Sequence, residues 1–329
     1  MADELELLRR ANPVPADGPH FGDGPLDHTA ERGLDRLLND RPAAPRRRTR
    51  LAWGLAATAV VAALVSALLF TGQTTAPALA APRPLVVQAD STPVSLRTMA
   101  ERARAAAADG SPALRKGTHV QSWSLGMSDG KPPITLPEER IVRWNADDSH
   151  TELVVATDPR HPGRPVLRET DGEPRLVEDG HVISRQTYPP SWSDAPPESR
   201  PPHDAVRLHD YLEEAERPYL SDHSKPLTTA ELLDATKILL DHWTLGARET
   251  AALTRLLADA ERLRPAGQVT DRLGRRGQAY VYDASVTRRM LILDPATGTV
   301  LGLETTFTTD QPEYGVKAGD VMEYSAWMR

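Results

Sequence analysis

The sequence predicts an α+β protein with one transmembrane helix, followed by an ectodomain that has a curved antiparallel sheet and an inserted helical hairpin. An uncharged run of twenty residues, 51–70, predicts the membrane helix. Apolar residues with a period of two, separated by Asp-Gly pairs, predict strands over much of 118–187 and again after 267. Between these regions the apolar period changes to that of a helix.

The run from Leu51 to Phe70 has the length of a membrane-spanning helix, because about 20 apolar residues cross a hydrocarbon layer roughly 30 Å thick. No face of it carries the polar stripe typical of a helix in a globular protein. A cleaved signal peptide is the alternative, since Ala78-Leu79-Ala80 has the form of a cleavage site. The fifty-residue leader and the length of the apolar run favour an uncleaved signal-anchor.

The charges on either side of this run predict its orientation. The basic residues before it are Arg46, Arg47, Arg48 and Arg50. The first basic residue after it is Arg83. Because cytosolic flanks are enriched in Lys and Arg, residues 1–50 are expected in the cytosol and the C-terminal domain outside the cytoplasmic membrane. The lipid bilayer is then the first partner, with Trp53 as an interfacial anchor and the arginines against anionic lipid.

The chain divides into four predicted regions. Residues 1–50 form a cytosolic tail with two short helices and the arginine cluster, and residues 51–70 form the transmembrane helix. Residues 71–95 are a Pro/Ala-rich spacer, and residues 96–329 are an extracytoplasmic α+β domain. Neither tail helix can bury a core alone, so residues 1–45 are expected either to be mobile or to fold on a partner such as a cytosolic regulator.

The composition argues against several classes of function. The chain has no cysteine, which excludes disulfides and thiolate metal sites. The net charge is −7, and residues 1–50 contain nine basic and nine acidic residues, so the negative excess lies in the ectodomain. Such a surface predicts no nucleic-acid partner. None of the common hydrolase, P-loop or dinucleotide motifs occurs, so neither a cofactor nor an enzymatic activity is predicted.

Turn and helix signals divide the ectodomain into elements. An amphipathic helix is expected near 96–103, followed by an antiparallel meander. In that meander, Asp179-Gly180 is expected to be a two-residue hairpin turn between 175–178 and 181–187. Farther on, Asp294 to Gly298 is expected to turn the chain between two strands.

Helical spacing is clearest between 205 and 265. The apolar positions of the first helix in this region are Val206, Leu208, Tyr211, Leu212 and Ala215. Thr228-Thr229-Ala230-Glu231 has the form of a capping box before the next helix, with Leu227 and Leu232 at the staple positions. This second helix and its successor are expected to pack by their apolar faces as an antiparallel hairpin.

Two resemblances to known families follow from particular segments. DELELLRRANPVPADG and GPLDHTAERGLDRLL, followed by the arginine cluster and the apolar span, resemble the start of an actinobacterial family of single-pass membrane proteins. The closing segment GRRGQAYVYDASVTRRMLILDPATGTVLGLETTF, 274–307, is similar to the last strands of that family. The resemblance implies the same topology, with a short cytosolic tail and an exported C-terminal domain.

The segment YVYDASVTRRMLILDPATGTVLGLE also resembles the strand, Asp-Pro-x-Thr-Gly turn and strand of the lipoprotein-carrier half-barrel fold. Periplasmic regulators of anti-sigma factors share that fold. The resemblance implies a curved sheet wrapped around helices, with acyl chains or peptides bound in its concavity. The carrier family has Leu-Pro-Leu-Arg after the turn where this chain has Thr299 to Gly302, so its ligand-binding residues have no counterparts here.

Four aromatic residues on predicted strands are candidates for a ligand groove, namely Trp123, Trp144, Tyr280 and Tyr282. Aromatic side chains also fill the cores of sheets, and core packing is the alternative. An apolar ligand or an envelope peptide is the expected occupant of such a groove.

Two polar clusters could be mistaken for catalytic or metal sites. Asp147, Asp148 and His150 lie between two strands, where a turn is the simpler interpretation. His203-Asp204 and His209-Asp210 are six residues apart, so on a helix they point about 240° apart and do not converge. We therefore predict neither catalytic nor metal residues.

Three hypotheses of function remain open. The first is a membrane-anchored, N-in and C-out extracytoplasmic binding or sensing protein with a regulatory cytosolic tail. The second is a tethered carrier that holds an apolar ligand within the half-barrel. The third is an envelope hydrolase that uses Asp147, Asp148 and His150. A cavity beneath the sheet would favour the carrier, and a filled core would favour binding at the surface.

Overall fold

A computed structural model describes residues 82–127, 131–170, 172–191, 193–220 and 224–329. All of them belong to the second of two units into which the chain divides, 74–329. The predicted tail and transmembrane helix, including the four arginines of the cluster and Trp53, lie outside the described residues. None of the helices within the described ranges combines the length and the apolar character needed to cross a membrane.

Four α-helices and twelve β-strands are found in the described residues. The helices are α1 (Leu96–Ala106), α2 (Ala205–Glu216), α3 (Thr229–His242) and α4 (Ala247–Leu257). The first six strands are β1 (Arg115–Gly126), β2 (Ile134–Trp144), β3 (His150–Ala156), β4 (Val166–Thr170), β5 (Glu173–Val177) and β6 (His181–Tyr188). The others are β7 (Trp243–Thr244), β8 (Arg264–Thr270), β9 (Arg276–Asp283), β10 (Thr287–Leu293), β11 (Val300–Phe307) and β12 (Val321–Trp327).

Ten of these strands form one curved antiparallel sheet, ordered β6-β3-β2-β1-β12-β11-β10-β9-β8, with β7 paired to β1 beside this path. The sheet consists of two sequential meanders that join where the first long strand pairs with the last. Val120 on β1 is opposite Trp327 on β12 at that junction. Helices and antiparallel strands together confirm the predicted α+β class with a curved sheet.

The four helices cover the inner face of this sheet. Strand residues such as Tyr280, Leu291 and Leu303 point into this layer and are buried there. From the helices, Leu208 and Leu253 enter the same layer with no exposed surface. Apolar burial stabilises this layer, since each leucine that is removed from water contributes about 1.5–3 kcal/mol.

The outer face of the sheet carries a second, smaller core that includes Trp123, Ile292 and Tyr324. An extended segment, 82–91, lies across it and packs Leu85 and Val87 against the sheet. We name this segment the outer strap. It falls within the region that was expected to be a spacer.

The outer strap is held by polar bonds as well as by packing. The Leu85 amide donates to Glu304 Oε1 at 2.8 Å. The Arg272 guanidinium donates to the Arg83 carbonyl at 3.0 Å and also forms an ion pair with Glu304. Arg272 and Glu304 are only 5% and 1% exposed, so the strap lies over a buried ion pair.

Three local predictions are confirmed. In α1 the buried residues are Leu96, Met99, Ala100 and Ala103, as the apolar spacing predicts. Thr228 and Glu231 form both bonds of the capping box at the start of α3. Asp294 Oδ1 accepts the Ala296 and Thr297 amides in the turn between β10 and β11.

Gly298 completes that last turn, and its lack of a side chain is required there. It adopts a φ of 71°, which is the left-handed region that favours glycine. A Cβ at this position would also lie 2.9 Å from side-chain atoms of Ala103 and Thr254. The turn therefore approaches α1 and α4 more closely than any other residue would allow.

Two tertiary predictions are wrong. Asp179-Gly180 does not join a hairpin, because β5 pairs with β4 and β6 pairs with β3. The inserted helices are also not a simple two-helix hairpin, since α4 packs mainly against α1, and α3 packs mainly against α2. Both predictions joined the wrong neighbours, since β6 pairs with the more distant β3 and α4 packs against the more distant α1.

Candidate functional site

The four aromatic residues predicted to line a groove lie in three different places. Trp123 is buried in the outer core, where its ring centroid is 5.5 Å from that of Tyr324. Tyr280 is buried in the inner core, and Tyr282 packs at the edge of that core. The aromatic residues on β1 and β9 therefore face opposite sides of the sheet, and the four do not form one groove.

Trp144 belongs to a stack at the end of β2. Its ring lies 4.1 Å from His150, which lies 4.5 Å from Tyr188 on the other side. The ammonium group of Lys116 caps the stack, 3.5 Å from the centre of the Trp144 ring. Burial lowers the pKa of His150, against the opposite effect of Glu152 and Glu198. A neutral imidazole suits a position between two aromatic rings.

The proposed catalytic cluster next to this stack is a turn. Asp147 accepts hydrogen bonds from the amide and hydroxyl groups of Ser149, and these bonds lower the pKa of Asp147. Asp148 has a φ of 59° and lies at the tip of the turn. Among the described residues, no hydrogen bond or ion pair joins either aspartate to His150. The geometry is that of a turn rather than of a nucleophile and its base.

A cleft of about 820 Å³ lies on the helical side of the domain. It opens between α2, the segment that leads into α3, and the residues that follow α4. Its apolar lining residues are Ala205, Val206, Pro226, Leu227, Leu232, Leu256, Ala260 and Tyr282. Charged or titratable lining residues are His209, Asp210, Arg255, Asp259, Glu261 and Arg262. We name this feature the apolar cleft.

Local interactions hold the walls of the apolar cleft in place. The capping box fixes the start of α3, and the Thr229 hydroxyl donates to the Glu261 carbonyl at 2.7 Å. Arg262 has a φ of 62°, which is unusual for a residue with a side chain. Its guanidinium donates to the Asp283 carbonyl at 2.7 Å and lies 5.3 Å from the centre of the Tyr282 ring. These bonds join the α3 and α4 ends to β9.

Val206 is the most informative residue of the cleft. The apolar spacing of α2 predicts it to be a core residue, yet it is 73% exposed at the rim of the cleft. Its neighbours in the same predicted stripe, Leu208 and Leu212, are fully buried. An exposed valine beside an apolar cleft leaves apolar surface in water that a ligand could cover.

One group of possible metal ligands lies at this cleft. The ligand atoms of His209, Asp210 and Glu213 lie within 4.8 Å of one another, the one such group in the described residues. His209 Nδ1 is 3.9 Å from Asp210 Oδ1 and 4.0 Å from Glu213 Oε2, too far for hydrogen bonds. His203 and Asp204 do not join the group, and Asp204 caps α2 instead.

A buried carboxylate lies at the other end of α2. Glu216 is 5% exposed, and its Oε2 atom has no hydrogen-bond partner among the described residues. Burial raises the pKa of Glu216 to about 7, helped by the nearby Asp234 and Glu231 and opposed by Arg289. Arg289 itself binds Asp234 at 2.8 Å. Glu216 therefore titrates near neutral pH beside an ion pair that is already formed.

The space beneath the sheet is nearly filled. A cavity bounded by Thr118, Leu240 and Val300, between the helices and the sheet, has a volume of about 30 Å³. That is room for about one water molecule. Leucines of the helices occupy the concavity instead, so the apolar cleft at the surface is the larger site.

No protein-family model matches this chain, and no curated protein sequence matches it significantly. The two family resemblances therefore remain predictions. Tyr282, one of the four predicted groove residues, lines the apolar cleft. The other lining residues come from three separate segments, within 205–210, 226–232 and 255–262. Val206 is the lining residue that the sequence could have indicated. Leu208 and Leu212 already form the buried stripe of α2, so Val206 is not needed in the core.

Proposed function

We propose that this protein is a membrane-anchored binding or sensing protein, with its N-terminus in the cytosol and its C-terminal domain outside the cytoplasmic membrane. The ligand binds in the apolar cleft, and the tail passes the signal to a cytosolic regulator. The topology rests on the uncharged run 51–70 and the arginines before it. The binding function rests on the cleft.

The observation that carries the binding function is the contrast between the open cleft and the filled core. A volume of about 820 Å³ is in the range of pockets that hold small ligands. Its lining combines apolar residues, which can supply affinity for a ligand, with charged residues, which can orient it. An apolar ligand with a polar end, or a short envelope peptide with an apolar side chain, fits this arrangement.

The tethered carrier is the second hypothesis, and the structure limits where its ligand could lie. Because leucines such as Leu208 and Leu253 fill the concavity, a carried ligand would occupy the apolar cleft rather than the space beneath the sheet. Nothing in the turn at Asp147 and Asp148 supports the hydrolase.

The experiment that tests the binding function changes the rim of the cleft without touching the core. The full-length chain is extracted from its own membranes in a mild detergent and examined by native mass spectrometry. We expect an adduct on the wild-type protein that is lost from Val206→Arg. Because Val206 is largely exposed, the arginine can be accommodated without burying a charge.

Val182→Arg is the matched control. Val182 is 46% exposed on β6 and does not line the cleft, so this variant carries the same charge elsewhere. It should retain the adduct. A wild-type protein without an adduct, or an adduct retained by Val206→Arg, would contradict binding in the apolar cleft.

A further inference from the structure

A second cleft, of about 420 Å³, lies between α1, α4 and the start of α2. Four arginines line it, namely Arg97, Arg104, Arg248 and Arg255. His203 lines it as well. We name it the arginine cleft. The ectodomain as a whole carries the negative excess of the chain, so four arginines around one concavity stand against the general charge of the domain.

The arrangement of the arginines follows from helix geometry. Arg97 and Arg104 are seven residues apart on α1, and Arg248 and Arg255 are seven residues apart on α4. A spacing of seven places two residues on the same face of a helix, two turns apart. Each helix therefore presents a pair of arginines along one side.

Both pairs line the same concavity, so the two helices contribute arginines to one cleft. A Cβ at Gly110, just after α1, would lie 3.1 Å from Arg248 Nε near the start of α4. The lining residues Ala100, Ala251 and Ala252 have small side chains. These small side chains contribute to the open volume of the cleft, which a ligand can occupy.

The charges in the cleft are incompletely neutralised. Arg255 pairs with Asp259 at 3.5 Å, in a bridge whose two side chains are more than half exposed. Among the described residues, Arg97, Arg104 and Arg248 have no carboxylate within ion-pair distance. Glu101 and Asp204 are the acidic residues that line the cleft, and the Asp204 carboxylate already accepts the Arg207 amide.

The position of two arginines goes against helix stability. Arg97 and Arg248 are the second residues of α1 and α4, where the positive end of the helix dipole disfavours a cation. The first residue of α2, Ala205, also lines the cleft, and the Asp204 carboxylate caps that helix. An anion bound in the cleft would offset the unfavourable position of these two cations, which explains why both helices carry one there.

We propose that the arginine cleft binds a phosphate group, carried by a phosphomonoester or a phosphodiester. Guanidinium groups bind phosphate through paired, charge-assisted hydrogen bonds, which a concave set of arginines can form from several sides. The two clefts share Ala205 and Arg255, but the other three arginines line the arginine cleft and not the apolar cleft. The proposal does not depend on the function proposed for the apolar cleft.

The test titrates the full-length chain in zwitterionic detergent with two probes, inorganic phosphate and dihexanoyl phosphatidylglycerol, followed by phosphorus NMR. We expect saturable binding of at least one probe, weakened by added sodium chloride. Tighter binding of inorganic phosphate would assign the site to a soluble phosphate, and tighter binding of the lipid would assign it to a headgroup. Absence of saturable binding of both probes would overturn the proposal.

Variants separate this site from general electrostatic attraction. Arg104→Ala with Arg248→Ala should weaken binding at least about tenfold, because two sets of charge-assisted hydrogen bonds are lost. Arg164→Ala with Arg276→Ala removes the same charge from two exposed positions outside the cleft and should leave binding unchanged. Equal affinities of the two double variants would also overturn the proposal. Circular dichroism confirms that each variant is folded.

Discussion

The two faces of the large sheet are covered in different ways. On the inner face, four helices contribute leucines to an apolar layer. On the outer face, the outer strap covers a smaller core and closes over the ion pair between Arg272 and Glu304. The stability of the inner layer depends on the apolar area that it buries. The stability of the outer layer also depends on the pairing of two buried charges.

Glu304 on the outer face and Glu216 on the helical side are two of the buried carboxylates, and their surroundings differ. Both carboxylate oxygens of Glu304 accept a hydrogen bond, one from the Leu85 amide and one from the Arg272 guanidinium. Glu216, on the helical side, has one oxygen without a partner among the described residues. Burial raises the pKa of both groups. The comparison indicates that the ion pair between Arg272 and Glu304, here called the outer pair, is a structural contact. Glu216, in contrast, changes its protonation state near neutral pH.

Breaking the outer pair should have the largest effect on stability. Arg272→Ala leaves Glu304 buried with the Leu85 amide as its remaining partner, and should lower the free energy of unfolding by about 3–5 kcal/mol. Urea unfolding followed by tryptophan fluorescence measures this loss. Replacing both partners, Arg272→Met with Glu304→Leu, should recover most of it. An unchanged midpoint for Arg272→Ala would contradict a structural role for the pair.

Removing one leucine from the inner layer should have the next largest effect. Leu253→Ala leaves a cavity among fully buried side chains and should lower the free energy of unfolding by about 2–5 kcal/mol. Leu176→Ala is the control, since Leu176 is 53% exposed on β5 and should cost less than about 0.5 kcal/mol. Equal losses for the two variants would show that the helices do not close the core.

The smallest effect concerns Glu216 and depends on pH. The pKa of Glu216 rises from 4.5 to about 7 on folding, so between these values the folded state binds more protons than the unfolded state. Stability contributed by this group is therefore lost as pH rises through about 7. Glu216→Gln should remove this dependence and make the protein more stable than wild type at pH 8, by about 1–3 kcal/mol.

Unfolding curves at pH 5 and pH 8 check this prediction. Glu214→Gln, an exposed neighbour on the same helix, should follow the wild-type curve at both values. Parallel pH profiles for wild type and Glu216→Gln would show that Glu216 is not the titrating group. Loss of the Asp234 interaction with Arg289 in the variant would be visible as an additional destabilisation at both values.

The sequence predicts what short-range interactions determine. The buried stripe of α1, the capping box at Thr228 and the turn at Asp294 each depend on residues within about one helical turn of each other. Long-range pairing is different. The pairing of β1 with β12 joins segments some two hundred residues apart, and nothing in either strand specifies the partner.

The lack of long-range information in the sequence also explains the predictions that were wrong. A strand pattern does not state which face is inner, so Trp123 and Tyr280 looked equivalent although they point to opposite sides. An Asp-Gly pair predicts a turn but not the strands that it joins. Both clefts are assembled from helix ends that meet only after folding. The arginine pairs at seven-residue spacing were the one sequence signal that could have indicated the second cleft.

Topology is the claim on which the proposed function depends, and the lack of native cysteine makes it directly measurable. Single cysteines are introduced as Ala43→Cys in the tail and as Ala318→Cys at an exposed position near the C-terminus. Intact cells are treated with a membrane-impermeant maleimide. We predict labelling of Ala318→Cys in intact cells, and labelling of Ala43→Cys only after the membrane is permeabilised. Labelling of Ala43→Cys in intact cells, or of Ala318→Cys only after lysis, would contradict the account.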